Sequence, residues 1–319
     1  MSVKALNIIF MGTPDFAVDC LDNLIKSKHN VLGVVTAEDK KAGRGKKIKI
    51  SDVKEYCLKN NIKIFQPEKL KNIDFINTMK SFDPDLFIVV AFRMLPELLW
   101  KIPKLGTINL HASLLPNLRG AAPIHWAIIN GLKETGLTTF FINEKIDCGN
   151  IIEQSKVQID KNQNKGDLYN VLKKIGSKLI LSSLDLIQDK SFKSIHQEVS
   201  NNDLSAPKLD KKNTKINWND SSENIHNLIR GLSPFPAAWT SIKENKKILK
   251  VYKSNNNQNH TNTIKDYQPG IIIFNDNSIL VSTKDGFIEI LELQIQGKRK
   301  MTSFEFINGY KTLDKQQLN

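Results

Sequence analysis

Short apolar runs alternating with stretches of helical spacing fill the first two hundred residues, and that alternation restricts the fold more than any other feature of the chain. Residues 7–11 form an apolar run closed by Gly12, Thr13, Pro14 and Asp15, after which Phe16, Cys20, Leu21, Leu24 and Ile25 recur on one helical face. Further runs at 31–36, 62–65 and 85–92 read as strands, with helices over 52–60 and 70–81 between them. Strands that are apolar throughout are those covered on both faces. The pattern therefore predicts an α/β fold, a doubly wound, mostly parallel Rossmann-like sheet with right-handed crossovers. A helix over 122–131, strands at 136–143 and 149–154, and an amphipathic helix over 166–188 complete this domain, set at residues 1–196. The turn after the first strand lacks G-x-G-x-x-G, so a dinucleotide fingerprint is not met.

The polar stretch 197–213, which carries Ala206 and Pro207, reads as a linker. Beyond it Ser222 is positioned to cap a helix whose Ile225, Leu228, Ile229 and Leu232 form one stripe. Alternating runs follow at 238–243, 247–253, 270–274, 278–283 and 286–293, punctuated by Asn275, Asp276 and Asn277 and by Asp285 and Gly286. They predict a small all-β, OB-like barrel over 214–319. Two cores suit a chain of 319 residues with 40% hydrophobic content, because single cores stop growing near ~250 to 300 residues.

The longest apolar run, residues 86–92, is far shorter than the ~18 residues a membrane helix needs, and no signal-like leader precedes the first strand. A cytoplasmic protein without a membrane segment is expected. Cys20, Cys57 and Cys148 are odd in number and lack C-x-x-C spacing, and His29, His196, His226 and His260 show no i, i+4 pairing. Neither a disulfide framework nor a metal site is suggested. Forty-six Lys and Arg against 33 Asp and Glu, a net charge of +13, point toward a polyanionic partner.

Residues 107–110 read as a buried strand. Alternation turns Asn109 and His111 to one side at its carboxyl end, where open α/β sheets bind ligands. Asp147 adds a carboxylate. An amide, an imidazole titrating near neutrality and a carboxylate suit transfer of an acyl-type group to an amine. The amide can stabilise a developing oxyanion without changing charge, and the His or Asp can take the proton that an attacking ammonium loses. Taken singly, these residues also read as a strand-end turn former, a satisfied core histidine and a loop residue. Their joint placement beside Ser113, Leu114, Leu115 and Pro116 favours a site. A Cys148 thiol nucleophile is a weaker alternative, since no base is paired with it in the sequence.

The runs N-L-H-A-S-L-L-P at 109–116 and D-C-G at 147–149 resemble the active-site motifs of the folate-dependent formyltransferases. M-G-T-P-D-F at 11–16, A-G-R-G-K-K at 42–47 and R-G-A-A-P at 119–123 narrow the resemblance to the branch that acts on methionyl-tRNA, and it covers essentially the whole chain. The resemblance implies that Asn109, His111 and Asp147 are catalytic and that Ser113, Leu114, Leu115 and Pro116 line the site for 10-formyltetrahydrofolate. The formyl group would pass to the α-amine of methionyl initiator tRNA, giving N-formylmethionyl-tRNA for translation initiation. The expectation is a monomer without a metal.

The segment K-K-A-G-R-G-K-K-I-K at 40–49 carries Lys40, Lys41, Arg44, Lys46 and Lys47, which can bind backbone phosphates. A solvated lysine-rich loop is the plainer reading, but relatives use this insertion against the tRNA acceptor end. The family commonly has Arg-Pro where this chain has Lys40 and Lys41, so a planar bidentate group becomes a point charge. It commonly has Tyr-Gly where this chain has Phe92 and Arg93, and Arg93 reads equally as a pocket-edge cation or an exposed residue. In the second domain Lys208, Lys298 and Arg299 are candidate tRNA contacts. From Lys208 onward there are 17 basic and 11 acidic residues, a net of +6, so basicity is spread over both domains. Two rivals use the same features: a sugar-nucleotide amine formyltransferase with the same folate donor, and a non-catalytic RNA-binding protein in which the barrel is the working module.

Overall fold

The computed structural model describes residues 4–42, 47–198, 200–256, 267–275 and 277–319. The chain begins β1 (Asn7–Gly12), α1 (Asp15–Ile25), β2 (Asn30–Val35), β3 (Lys40–Ala42), β4 (Lys47–Lys49), α2 (Asp52–Lys59), β5 (Ile64–Phe65) and α3 (Ile73–Ser81). It continues β6 (Leu86–Val90), α4 (Glu97–Trp100), β7 (Thr107–His111), β8 (Arg119–Gly120), α5 (Pro123–Ile129), β9 (Glu134–Phe141), β10 (Ile151–Gln158) and α6 (Lys165–Gln188). The last third holds β11 (Ser205–Ala206), α7 (Ser222–Leu232), β12 (Ala238–Ser241), β13 (Ile248–Asn255), β14 (Ile272–Asn275), β15 (Ser278–Ser282), β16 (Phe287–Ile295), β17 (Met301–Thr302) and α8 (Ser303–Gly309).

Two compact units result, and the division interleaves the chain rather than cutting it once. The first takes Met1–Arg119, Gly136–Val157 and Asn170–Leu204; the second takes Gly120–Thr135, Gln158–Tyr169 and Ser205–Asn319. The expected helix at 122–131 thus belongs, as α5, to the second unit, and residues 197–204, expected at the start of a linker, belong to the first.

The first unit is built on a seven-stranded sheet of order β10-β9-β7-β6-β1-β2-β5. The pairs β1/β2, β1/β6, β2/β5 and β6/β7 are parallel, and β7/β9 is antiparallel. The expected doubly wound, mostly parallel sheet is present. The chain leaves β1 toward β2 and β5 on one side and returns on the other as β6 and β7, so the strand order reverses beside β1. At such a reversal, open α/β sheets bind ligands in the crevice outside the carboxyl ends of the strands. All five residues of β6 are buried. Ile9, Met11, Phe87 and Val89 pack on one face against Phe75, Met79 and Leu99 of the covering helices. Each such side chain taken out of water contributes about 1.5–3 kcal/mol. Among the described residues no helix is long and apolar enough to cross a membrane.

The second unit carries an antiparallel sheet of order β12-β13-β16-β15-β14, with β17 added against β16. Its edges do not stay open. Residues 316–319 bond to β12 through Ser241 and Asn319 in both directions, and to the other edge through the Ile272 amide on Gln316 and the Leu318 amide on Gly270. This segment closes the barrel, which removes both exposed ladders. The helix expected after Ser222 starts one residue earlier: Ser221 is the N-cap, its hydroxyl accepting from the Asn224 amide. The stripe of α7, Ile225, Ile229 and Leu232, enters the barrel core with Leu249, Val251 and Leu293.

This unit holds one buried imidazole, His226, and one half-buried, His125. His125 Nε2 lies 3.4 Å from the Phe235 carbonyl, and His226 Nδ1 lies 3.0 Å from Ser254 Oγ. Burial, reinforced by Lys165 near the first and by Arg230 and Lys161 near the second, pushes each down to about 4. Unfolding returns both to the ordinary range near 6.5, so below that pH the unfolded chain binds more protons than the folded one. The stability they contribute is complete above about pH 6.5, falls as pH drops toward 4, and levels off beneath. Thermal melts across pH 8 to 4 should show Tm flat at the top and declining through this window, with a shallower decline in His226→Gln. An unchanged slope in that variant would contradict the assignment.

Candidate active site

Asn109 and His111 lie on β7, two residues apart and hence on one face, at the end of the strand that leads into the crevice. In register, Asn109 sits between Val89 of β6 and Phe140 of β9, and His111 sits opposite Thr138. Both neighbours of Asn109 are apolar, and its side chain makes no hydrogen bond to the described residues. His111 is buried, with Nε2 3.0 Å from the Leu118 carbonyl. A carbonyl can only accept, so Nε2 carries the proton and Nδ1 is the nitrogen left to take one up. That Nδ1 lies 3.8 Å from Asp147 Oδ2. The separation is within ion-pair reach and longer than a hydrogen bond, and both groups are largely shielded from water, which strengthens the attraction once the imidazole is charged.

Asp147 has φ of +52°, a left-handed conformation that costs an L residue roughly 1–2 kcal/mol and that Asp tolerates better than most. Its carbonyl accepts from Arg119 Nε at 3.0 Å and from Gln197 Nε2 at 3.1 Å. The glycine of D-C-G is required by contact. A Cβ on Gly149 would lie 1.6 Å from the Phe141 carbonyl oxygen. Strand β10 accordingly starts at Ile151 rather than at the expected 149.

The loop after β7 is fastened at several points. Thr138 Oγ1 donates to the Ser113 carbonyl at 2.7 Å and accepts from the Leu115 amide at 3.1 Å, while Gln154 Nε2 donates to both the Leu115 carbonyl and Thr138 Oγ1 at 2.9 Å. Ser113 and Leu115 are buried, and the Ser113 hydroxyl is used on the Asn117 carbonyl. Leu114 and Pro116 are half-buried, and the Leu114 side chain lies so close to Gly136 of β9 that a Cβ there would come within 2.5 Å of it. The Cys148 thiol donates to the Ile146 carbonyl and is not paired with an imidazole among the described residues. Burial raises the Cys20 thiol and pushes Cys57 up to about 11, which keeps both inert as nucleophiles.

Family models match along most of this chain: that described as Formyl transferase over residues 6–184, and that described as Formyl transferase, C-terminal domain over 208–311. The chain is 48% identical over 309 residues to a methionyl-tRNA formyltransferase of Flavobacterium johnsoniae, covering 96% of this chain and 97% of the relative. It is 42% identical over 317 residues to one of Bacteroides fragilis, covering 97% of each. The chain belongs to the methionyl-tRNA formyltransferase family. Among solved structures it is similar to a sugar 3N-formyl transferase crystallised with dTDP and 5-N-formyl-THF, with a TM-score of 0.66 and 25% identity over 93% of this chain and 100% of that one. It shares its fold with HypX of Aquifex aeolicus in complex with tetrahydrofolic acid, with a TM-score of 0.64 and 16% identity over 96% of this chain and 48% of that one.

The expected tRNA contacts fall in three places. Lys40 opens β3, and Lys41 and Lys47 belong to β3 and β4, which pair as an antiparallel ribbon with Lys40 opposite Lys49. Arg44 and Lys46 lie outside the described residues. The flanks of this segment are paired strands, and Asp39, just before β3, accepts from Lys54 at 2.7 Å and from Gln66 at 2.9 Å. In the second unit Lys208 and Lys298 are exposed, and Arg299 is held by Glu305 at 2.6 Å. Arg93 reaches neither the dyad nor the ribbon: its guanidinium donates to the Glu68 and Pro67 carbonyls and fastens that loop.

Thr138, Gln154, Arg119 and Gln197 support the site and were not expected there. Thr138 and Thr139 interrupting the apolar run of β9 were the one available signal. Gly149→Ala should displace residues 147–149 against β9. Misplacement of about 1 Å can cost ~10²-fold in rate, so formyl transfer should fall by at least that and Tm should drop; wild-type turnover with an unchanged Tm would show that the contact is not limiting.

Proposed function

We propose that this chain transfers the formyl group of 10-formyltetrahydrofolate to the α-amine of methionyl initiator tRNA, giving the N-formylmethionyl-tRNA used in translation initiation. The observation that carries the reading is the approach of His111 Nδ1 to Asp147 Oδ2 at 3.8 Å beside the unengaged Asn109 amide. The reaction needs a donor for the oxygen that gains charge as nitrogen attacks the formyl carbon, and a base for the ammonium proton. Asn109 supplies the first. Asp147, directly or through a water, accepts the second. His111 is locked by the Leu118 carbonyl into the tautomer whose free Nδ1 faces the site. It takes up a proton at Nδ1, with Asp147 stabilising the imidazolium, and then either donates to the formyl oxygen or relays the proton to the folate nitrogen as the bond between that nitrogen and the formyl carbon breaks and tetrahydrofolate leaves. Ser113, Leu114, Leu115 and Pro116 form the loop that lines the folate site, held in place by Thr138 and Gln154.

Lys40, Lys41 and Lys47 of β3 and β4, Arg44 and Lys46 between them in sequence, and Lys208, Lys298 and Arg299 in the second unit are the proposed phosphate contacts. The proposed form is a cytoplasmic monomer. A sugar-nucleotide acceptor is the nearest rival, since a solved relative acts on a sugar. Identities of 42–48% over nearly the whole chain to methionyl-tRNA formyltransferases favour tRNA.

Asn109→Ala should lower kcat by roughly 10²–10³, as loss of one oxyanion donor does, with tRNA affinity nearly intact. Radiolabelled formyl transfer to charged initiator tRNA, run beside elongator tRNA and a sugar-nucleotide amine, measures both. Wild-type turnover in the variant would remove Asn109 from the mechanism, and preference for the sugar amine would reassign the substrate.

A further inference from the structure

We propose that Gln197 and Arg119 are positioning residues for the reaction, acting together to hold Asp147 in the left-handed conformation that presents its carboxylate to His111; this rests on the site reading above. Gln197 is only 4% exposed. Its amide nitrogen donates to the Asp147 carbonyl at 3.1 Å and to the Gly149 carbonyl at 2.7 Å, which uses both of its protons. Its amide oxygen accepts from Arg119 Nη2. The same guanidinium donates through Nε to the Asp147 carbonyl at 3.0 Å. Two donors therefore converge on one carbonyl oxygen and bond to each other as well.

This clamp acts on backbone, so it sets the direction of the residue that carries the carboxylate. On the opposite side Gly149 is pressed against the Phe141 carbonyl. Residues 147–149 are thus gripped between β9 and Gln197. The imidazole is fastened from the same stretch of chain: the Leu118 carbonyl that bonds His111 belongs to a residue with φ of +60°, whose amide donates to the Leu204 carbonyl at 2.6 Å. Gln197 and Leu204 therefore each secure one member of the pair, the first through the Asp147 backbone and the second through Leu118. A clamp of this kind alters how often the dyad is aligned, not how substrates bind. Loss of a hydrogen-bonding partner that orients a metal ligand costs roughly 10–100-fold, and a loss of that order is expected for a partner that orients a catalytic carboxylate.

The test is steady-state formyl transfer from 10-formyltetrahydrofolate to methionyl initiator tRNA by Gln197→Met and Arg119→Lys, each made in the natural chain and in the Asp147→Asn chain, with thermal melts of all. Lysine cannot span two acceptors as the planar fork does, and Asn keeps the tolerance for positive φ while removing the carboxylate. The expected result is a fall in kcat of about 10–100-fold in the natural chain, KM for both substrates unmoved, and no further fall in the Asp147→Asn chain. A folded Gln197→Met with natural kcat would overturn the proposal, and so would an equal further fall in the Asp147→Asn background, which marks a role independent of the carboxylate. If Gln197→Met does not fold, Arg119→Lys is judged by the same criteria; failure of both to fold would make the clamp a folding element and also overturn it. Natural turnover in Asp147→Asn itself would bring down the site reading instead.

Discussion

The approach of Asp147 Oδ2 to Nδ1 of His111, 3.8 Å apart and both shielded from water, is the arrangement on which the chemistry of this molecule depends, because it becomes a strong attraction when the imidazole takes up a proton. Charges removed from water are costly unless another charge or a set of hydrogen bonds receives them. The surrounding structure orients the two groups from both ends. The Leu118 carbonyl fixes the proton on Nε2, and the left-handed turn at Asp147 is held by bonds to its own carbonyl. The pair is consequently pre-arranged before any substrate arrives.

The sheet explains why the pair can exist at that point. Parallel strands β1, β6 and β7 end together, and the reversal of strand order beside β1 leaves room above them. The next strand on the β7 side, β9, runs antiparallel to β7. Its Thr138 can therefore stand opposite His111 and tie down the loop after β7, while its far end at Phe141 meets Gly149. One strand direction thus fixes both the folate-side loop and the D-C-G turn.

Much of this could be read from residue order because its causes are local. Runs such as 86–90 are apolar throughout and could only be strands covered on both faces, and the alternation after residue 238 could only be a one-sided sheet. Asn109 and His111 stood out because alternation puts two polar side chains on one face of an otherwise apolar strand. What escaped was set by contacts between distant segments. Gln197 lies in a stretch with no apolar periodicity, so nothing marked it as buried. Residues 316–319 carry no strand signal of their own and owe their extended pairing to the two sheet edges they join. Lys40 and Lys41 have poor strand propensity, and the ribbon they open forms through pairing with 47–49. The displacement of α5 into the second unit follows from packing of Ile129 against that core, a partner the helix pattern could not name.

Whether His111 and Asp147 work as one unit is decided most directly by a double-mutant cycle on kcat for formyl transfer to methionyl initiator tRNA, with His111→Asn, Asp147→Asn and the combination. Residues that act through each other are strongly non-additive. The double variant should turn over no more slowly than the slower single variant, whereas rate losses that multiply would mean that the two side chains act independently and that their proximity is incidental.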